Sequence, residues 1–365
     1  MADATHGPDN LTGVTPDTGL KVAQSEPGGP MLAADGTPLK TSLNRALRKQ
    51  KRRALMLIAP LLIFIVVTFI YPIGEMLFRS VENQIVGDTL PRTVRVLADW
   101  EPDKTDVPGP LVFSALAKDM TVAAEEKNHT RLGSRLNYEA SGISSLFRKS
   151  GRGVDDIGEG YTDQFAALDP AWEDPQTFID IFAGPRWLAA NATYDGTGKR
   201  PTFRLAEGVG EVLPQTASIY RDFARVVQTE DDDNPAEEQP WNTVYLALYE
   251  DLTNGAAILE DMPRADLLIA AQPAALGFAK TDVMADFVAM DKDWADRDVW
   301  RMIQTYSTPY TTGYFLNAAD LQLTPDGVAW RPENERVYIT LFIRTLIMST
   351  AITVACIFLG YPIGW

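Results

Sequence analysis

Reactive side chains are scarce in this chain. Its 365 residues hold one cysteine and two histidines. His6 lies in a tail rich in Gly, Pro, Thr and Asp, so any histidine-based triad or zinc site would depend on His129 alone, in Asn128-His129-Thr130. The sequence contains no G-x-S-x-G, no S-x-x-K and no phosphate-cradling G-x-x-x-x-G-K-[ST]. Its carboxylates lack the spacing of an EF-hand, and acidic runs such as Glu230 to Asp233 read as solvated loops. No cofactor or metal is expected in this chain, and no catalysis. Positive charge is also in deficit, 33 Lys and Arg against 49 Asp and Glu, which argues against a nucleic-acid partner.

What is present is apolar length. Ala54 to Gly74, ALMLIAPLLIFIVVTFIYPIG, carries no charge. At about 1.5 Å per residue its roughly 21 residues make a helix of about 30 Å, the thickness of a bilayer's hydrocarbon layer. A cleaved signal peptide would be shorter, nearer the start and followed by small residues at the cleavage site. A buried helix of a soluble protein rarely runs so far without a polar face. A second run, Val337 to Trp365, has Arg344 as its only charge. Mean hydropathy of −0.11 hides both runs because a long polar middle dilutes them.

The flanks set an expected topology. Residues 1–41 have too few large apolar side chains to offset the entropy of ordering and read as a disordered tail. Ser42 is a candidate N-cap for a short basic helix over 42–53, in which Arg45, Arg48, Lys49, Lys51, Arg52 and Arg53 form a collar against the first span. Such a collar also suits an anionic lipid surface, but its contact with the apolar run favours orientation. The N-terminus is expected in the cytoplasm and residues 75–336 outside, with the chain in a bacterial inner membrane. Tyr71 fits an interfacial aromatic position, and Met76, Leu77, Phe78 and Val81 allow the helix to continue amphipathically toward Asn83.

Residues 75–336 are too long for an unstructured loop and are expected to form an acidic domain, α-rich or α+β. Apolar spacing predicts helices around Leu111 to Met120, Ile143 to Phe147, Thr177 to Phe182, Ile219 to Val227, Tyr245 to Leu252, Arg264 to Ala271 and Thr281 to Met290. Strands or turns are expected between Pro185 and Val212. Two stretches echo each other, Asp169-Pro-Ala-Trp172-Glu-Asp174 with Phe178 and Asp291-Lys-Asp-Trp294-Ala-Asp296 with Trp300. In both, the second Asp is a natural N-cap and the aromatic four residues later should face the core.

Several stretches carry a family likeness. Tyr314 to Leu321, Asp326-Gly327, Glu335 to Tyr338, Phe342-Ile-Arg344-Thr-Leu346 and Gly360-Tyr361-Pro362-Ile-Gly364 resemble the inner-membrane permease subunits of binding-protein-dependent ABC importers, the spermidine/putrescine type most nearly. Ala59-Pro60 through Tyr71-Pro72 to Arg79-Ser-Val-Glu-Asn83 is similar to the opening helix of those permeases. The resemblance covers residues 45–85 and 290–365. The family usually closes the last motif with an Ala-aromatic pair, and here Gly364-Trp365 stands instead.

The resemblance implies an α-helical membrane protein carrying two transmembrane helices of an ABC-importer permease bundle, with the α-rich or α+β periplasmic domain inserted between them. It implies ATP and magnesium bound by a separate ATPase subunit, a second permease subunit, a periplasmic solute-binding protein, the lipid bilayer and a polyamine-type solute. Further spans and an ATPase-coupling loop belong to the family, so the chain is expected to be an N-terminal piece of a longer permease. Arg344, Gly360, Tyr361 and Pro362 are the candidate pathway or hinge positions. Arg344 equally suits a snorkelling anchor, and Gly360 with Pro362 a plain helix stop. The alternative from another class is a two-span sensor with a periplasmic ligand-binding domain.

Overall fold

The computed structural model describes residue 51 and residues 54–254 and 259–360. It is mostly helical, and the chain divides into two compact units at Phe78 and Arg79.

Helix α1 runs over Ala54–Arg79 with a mean hydropathy of 2.7 and none of its apolar window buried. Its one irregularity is the wide turn Val66–Ile70, where the Tyr71 amide reaches back to the Val66 carbonyl. Pro72 follows directly. A proline in a helix lacks the donor for the carbonyl four residues back and crowds it, and one widened turn absorbs both effects. The helix stops at Arg79 and does not reach Asn83. Asn83 is buried instead, donating from Nδ2 to the Tyr306 carbonyl at 2.5 Å and the Thr308 carbonyl at 3.2 Å.

The helices that follow are α2 (Ile85–Thr89), α3 (Pro91–Leu97), α4 (Pro110–Glu125), α5 (Asn128–Leu136), α6 (Ile143–Gly153), α7 (Glu159–Leu168), α8 (Pro175–Phe182) and α9 (Pro185–Ala192). After an irregular stretch come α10 (Val209–Val212), α11 (Pro214–Thr229), α12 (Asn242–Asn254), α13 (Ala265–Ala275), α14 (Val283–Met290), α15 (Arg297–Thr305) and α16 (Gly313–Ala318). Each helix predicted from apolar spacing is present. The expectation of strands or turns from Pro185 fails at α9. Gly184 is extended and Pro185 takes the first helical position, where a missing N–H costs nothing. Trp187 then anchors the helix against Phe203, ring centroids 5.1 Å apart.

An internal duplication organises this unit. Val86-Gly-Asp-Thr-Leu-Pro-Arg-Thr93 matches Val209-Gly-Glu-Val-Leu-Pro-Gln-Thr216. Val112-Phe-Ser-Ala-Leu-Ala-Lys-Asp-Met-Thr121 in α4 matches Val244-Tyr-Leu-Ala-Leu-Tyr-Glu-Asp-Leu-Thr253 in α12. The local geometry repeats with the letters. Leu90 and Leu213 cap α3 and α11 with φ of −122° and −124°. Thr93 donates its amide and hydroxyl to Asp119 Oδ2 at 2.7 and 2.8 Å, and Thr216 donates both to Asp251 Oδ2 at 2.8 Å.

The tryptophan motif is the third repeated block. Asp169 and Asp291 have nearly the same backbone, φ/ψ of −153°/127° and −155°/123°, and each caps a short 3-10 turn. Asp174 and Asp296 then cap α8 and α15, accepting from Gln176 and Asp298 amides. Phe165 and Phe287, four residues before the first Asp, complete an aromatic clasp with Trp172 and Phe178 in one half and Trp294 and Trp300 in the other.

The halves exchange contacts. Phe113 of α4 packs on Phe287 and Trp300 of the second half, at 6.1 and 4.9 Å. Its counterpart Tyr245 of α12 packs on Phe165 and Phe178 of the first, at 6.1 and 5.1 Å. One buried core therefore spans both halves, and each large aromatic burial contributes roughly 2–3 kcal/mol of apolar transfer free energy.

The unit closes with an antiparallel hairpin, β1 (Leu321–Thr324) and β2 (Gly327–Trp330), and then the long helix α17 (Tyr338–Gly360). Helix α17 has a mean hydropathy of 2.0 and none of its apolar window buried.

Candidate functional site

The predicted pathway residues do not converge on one site. Arg344 is exposed two turns into α17 and its side chain makes no hydrogen bond or ion pair with the described residues. Gly360 is the last residue of that helix, with open space where a side chain would begin. Tyr361 and Pro362 lie outside the described residues, as do Arg45, Arg48, Lys49, Arg52 and Arg53 of the collar. Lys51 is exposed. His129 Nδ1 lies 3.0 Å from the Ala123 carbonyl. Among the described residues no three His, Cys, Asp or Glu side chains are grouped as metal ligands.

Two features were not anticipated. The first is the start of α17. Asp320, with a left-handed φ of 55°, is 1 % exposed and accepts from three successive amides, Val337 and Tyr338 on Oδ1 and Ile339 on Oδ2, at 3.1, 3.0 and 2.7 Å. A helix leaves its first amides without internal partners, and one carboxylate here satisfies three of them. Although burial works against its charge, these amides hold Asp320 below the usual carboxylate range.

The hairpin ties this cap to the helical core. The Arg331 amide donates to the Asp320 carbonyl at 2.9 Å. Its guanidinium donates to the Tyr138 carbonyl at 2.5 Å and pairs with Glu139 at 3.7 Å and Glu335 at 3.4 Å. Glu139 in turn holds Arg135 at 2.7 Å, and Arg135 lies over the rings of Tyr306 and Tyr314. The apolar helix α17 is thus fastened at its first turn to the α5 end of the duplicated core.

The second feature is a cavity of about 720 Å³ between the halves. Its walls differ in charge. The first half supplies Arg92 and Arg95 from α3 and Lys118 from α4, and the second supplies Glu211 from α10 with Glu250 and Asp251 from α12. Lys118, only 2 % exposed, pairs with Glu250 at 2.5 Å, and Ser114 donates to the other Glu250 oxygen. Lys118 and Glu250 occupy the same position in the duplicated helices. Asp251 is pushed above its ordinary range by burial, which the Thr216 and Gln215 amides offset only in part. The side chains of Arg95 and Glu211 have no partner among the described residues.

The first half has the equivalent recess, and it is nearly filled. Asp88, Thr89, Pro91, Arg92 and Asp119 stand where Glu211, Val212, Pro214, Gln215 and Asp251 stand in the cavity, but only about 140 Å³ remains. Arg92 fills it, bonding Asp119 at 3.1 Å, Ser218 at 2.9 Å and Asp222 at 2.5 Å. Burial opposes the Arg92 charge, yet Asp119 and Asp222 raise its pKa. Burial pushes the Asp119 carboxyl up despite Arg92 and Thr93. The shorter Gln215 leaves the matching space in the second half open. The signal for this cavity was present in sequence as the repeated V-G-x-x-L-P-x-T, whose second copy carries Gln where the first carries Arg.

Set against family models, curated proteins and solved structures, the chain finds no match.

Proposed function

We propose that this chain is a permease subunit of an ABC importer, embedded in a bacterial inner membrane by α1 and α17, with the duplicated acidic domain on the outer side. The observation that carries the reading is α17 itself, a helix long and apolar enough to cross a bilayer, exposed along its length and bearing Arg344 without a partner among the described residues. An arginine two turns inside a span is costly unless it reaches headgroups, protein or a water-filled path. Partner helices of a transport bundle would supply such an environment, and the Arg-Thr-Leu and Gly-Tyr-Pro motif around it resembles these permeases. Solute movement would follow alternating access, with ATP hydrolysed by a partner subunit and solute, of polyamine type by resemblance, delivered by a periplasmic binding protein.

The cavity between the halves favours a second reading, a two-span sensor whose outer domain binds a ligand and whose Asp320 clamp passes the effect to α17. Purification of the full chain from its native membrane separates the two. A stoichiometric ATP-hydrolysing partner supports the permease, and a homodimer free of any ATPase supports the sensor.

A further inference from the structure

The cavity between the halves is polarised, and the two charged side chains on its wall that have no partner among the described residues are opposite in sign. Every cation on its wall comes from the first half and every carboxylate from the second. Glu250 and Asp251 are occupied by Ser114, Lys118, Gln215 and Thr216. Arg92 is occupied by Asp119, Ser218 and Asp222. That leaves Arg95 and Glu211, both lining the open volume, without a side-chain partner among the described residues. Lys118, which also lines the cavity, has three donors, and its contacts are Glu250 at 2.5 Å and Gln215 at 3.4 Å, so one N–H is without a partner among the described residues. Val96, Leu111, Ala115, Val212 and Pro214 give an apolar strip, and the volume falls in the range of small-molecule sites.

We infer that this cavity binds a small amino acid as a zwitterion, its carboxylate on Arg95 and Lys118 and its ammonium on Glu211. A diamine would set one ammonium against Arg95 and Lys118, and a simple carboxylic acid would leave Glu211 unpaired. The duplication supports a ligand role independently. The equivalent recess in the first half is closed by the Arg92 clamp, whereas the second half carries the shorter Gln215 at that position and has an open space. The inference does not rest on the transport reading, and its failure would leave that reading standing.

Calorimetric titration of the full chain in nanodiscs tests it, with γ-aminobutyrate and 5-aminovalerate as zwitterions, butyrate as the acid and putrescine as the diamine. At least one zwitterion should bind, with butyrate and putrescine about tenfold or more weaker. Arg95→Ala and Glu211→Gln should each weaken zwitterion binding by about tenfold. Glu211→Gln should also narrow the gap between γ-aminobutyrate and butyrate, a change that general loss of fold would not produce. Both residues are exposed, so the variants should keep the helical circular dichroism of the parent. Absence of zwitterion binding, putrescine binding as tightly, or unchanged binding in both variants overturns the inference.

Discussion

Lys118 Nζ lies 2.5 Å from Glu250 Oε2, and the two residues hold one position in the two copies of the duplicated helix. A site that meets its own copy across an interface cannot keep the same charge on both sides, because two buried like charges repel strongly. Divergence to a cation and a carboxylate turns that conflict into a contact. Lys118→Met should destabilise the domain by about 3 kcal/mol, since it leaves Glu250 without its counter-ion. The double variant with Glu250→Leu should recover more than half of that loss. Denaturant midpoints of the four proteins in the cycle measure it, and strictly additive losses would count against the pairing.

The duplicated caps should behave alike. Thr93→Val and Thr216→Val each delete a hydroxyl donor to a buried carboxylate, Asp119 and Asp251, and each should cost about 1–3 kcal/mol. Urea unfolding of the two variants compares them. A large loss in one and none in the other would mean that only one half carries the cap.

Mild acid should stabilise the domain. Burial raises Asp119 and Asp251, and burial with neighbouring carboxylates raises Glu125, Asp155 and Asp286. A carboxyl whose pKa is higher folded than unfolded binds more protons when folded, so stability falls as pH rises from about 4 through the raised value. The lowered Asp291 and Asp320 act in the opposite sense, but only as pH falls below about 4. The thermal midpoint should therefore fall as the pH is raised from about 4 to neutrality. A midpoint that climbs over that interval would contradict the assigned shifts.

Asp320 controls the first turn of α17. Asp320→Ala should speed hydrogen exchange at Val337, Tyr338 and Ile339 while leaving amides in the middle of α17 and in α4 unchanged. Uniform acceleration through the chain would point to global destabilisation instead.

What could be read in the sequence was what depends on near neighbours. The apolar runs needed only length and missing charge. Asp169, Asp174, Asp291 and Asp296 act within two residues, so the repeated helix start is legible in the sequence, whereas Phe165 and Phe287 join the same module only through packing. The Thr93 cap comes from Asp119 and the Thr216 cap from Asp251, separations of 26 and 35 residues. Asp320 caps a helix 17 to 19 residues downstream. Such pairings follow from the packed core and not from local spacing. Helix α9 is not legible because Gly184-Pro185 reads as a turn as readily as a helix start. The cavity needed both halves assembled before its charges faced one another.

We propose that the duplicated domain belongs to a machine driven by a separate ATPase. The most direct measurement is ATP hydrolysis by any complex that purifies with the full chain, reconstituted in nanodiscs, before and after adding the solute-loaded binding protein that the permease reading expects. Stimulated hydrolysis that is lost on Arg344→Ala, with the complex still assembled, is the expected result. A chain that purifies without any ATP-hydrolysing partner would contradict the account.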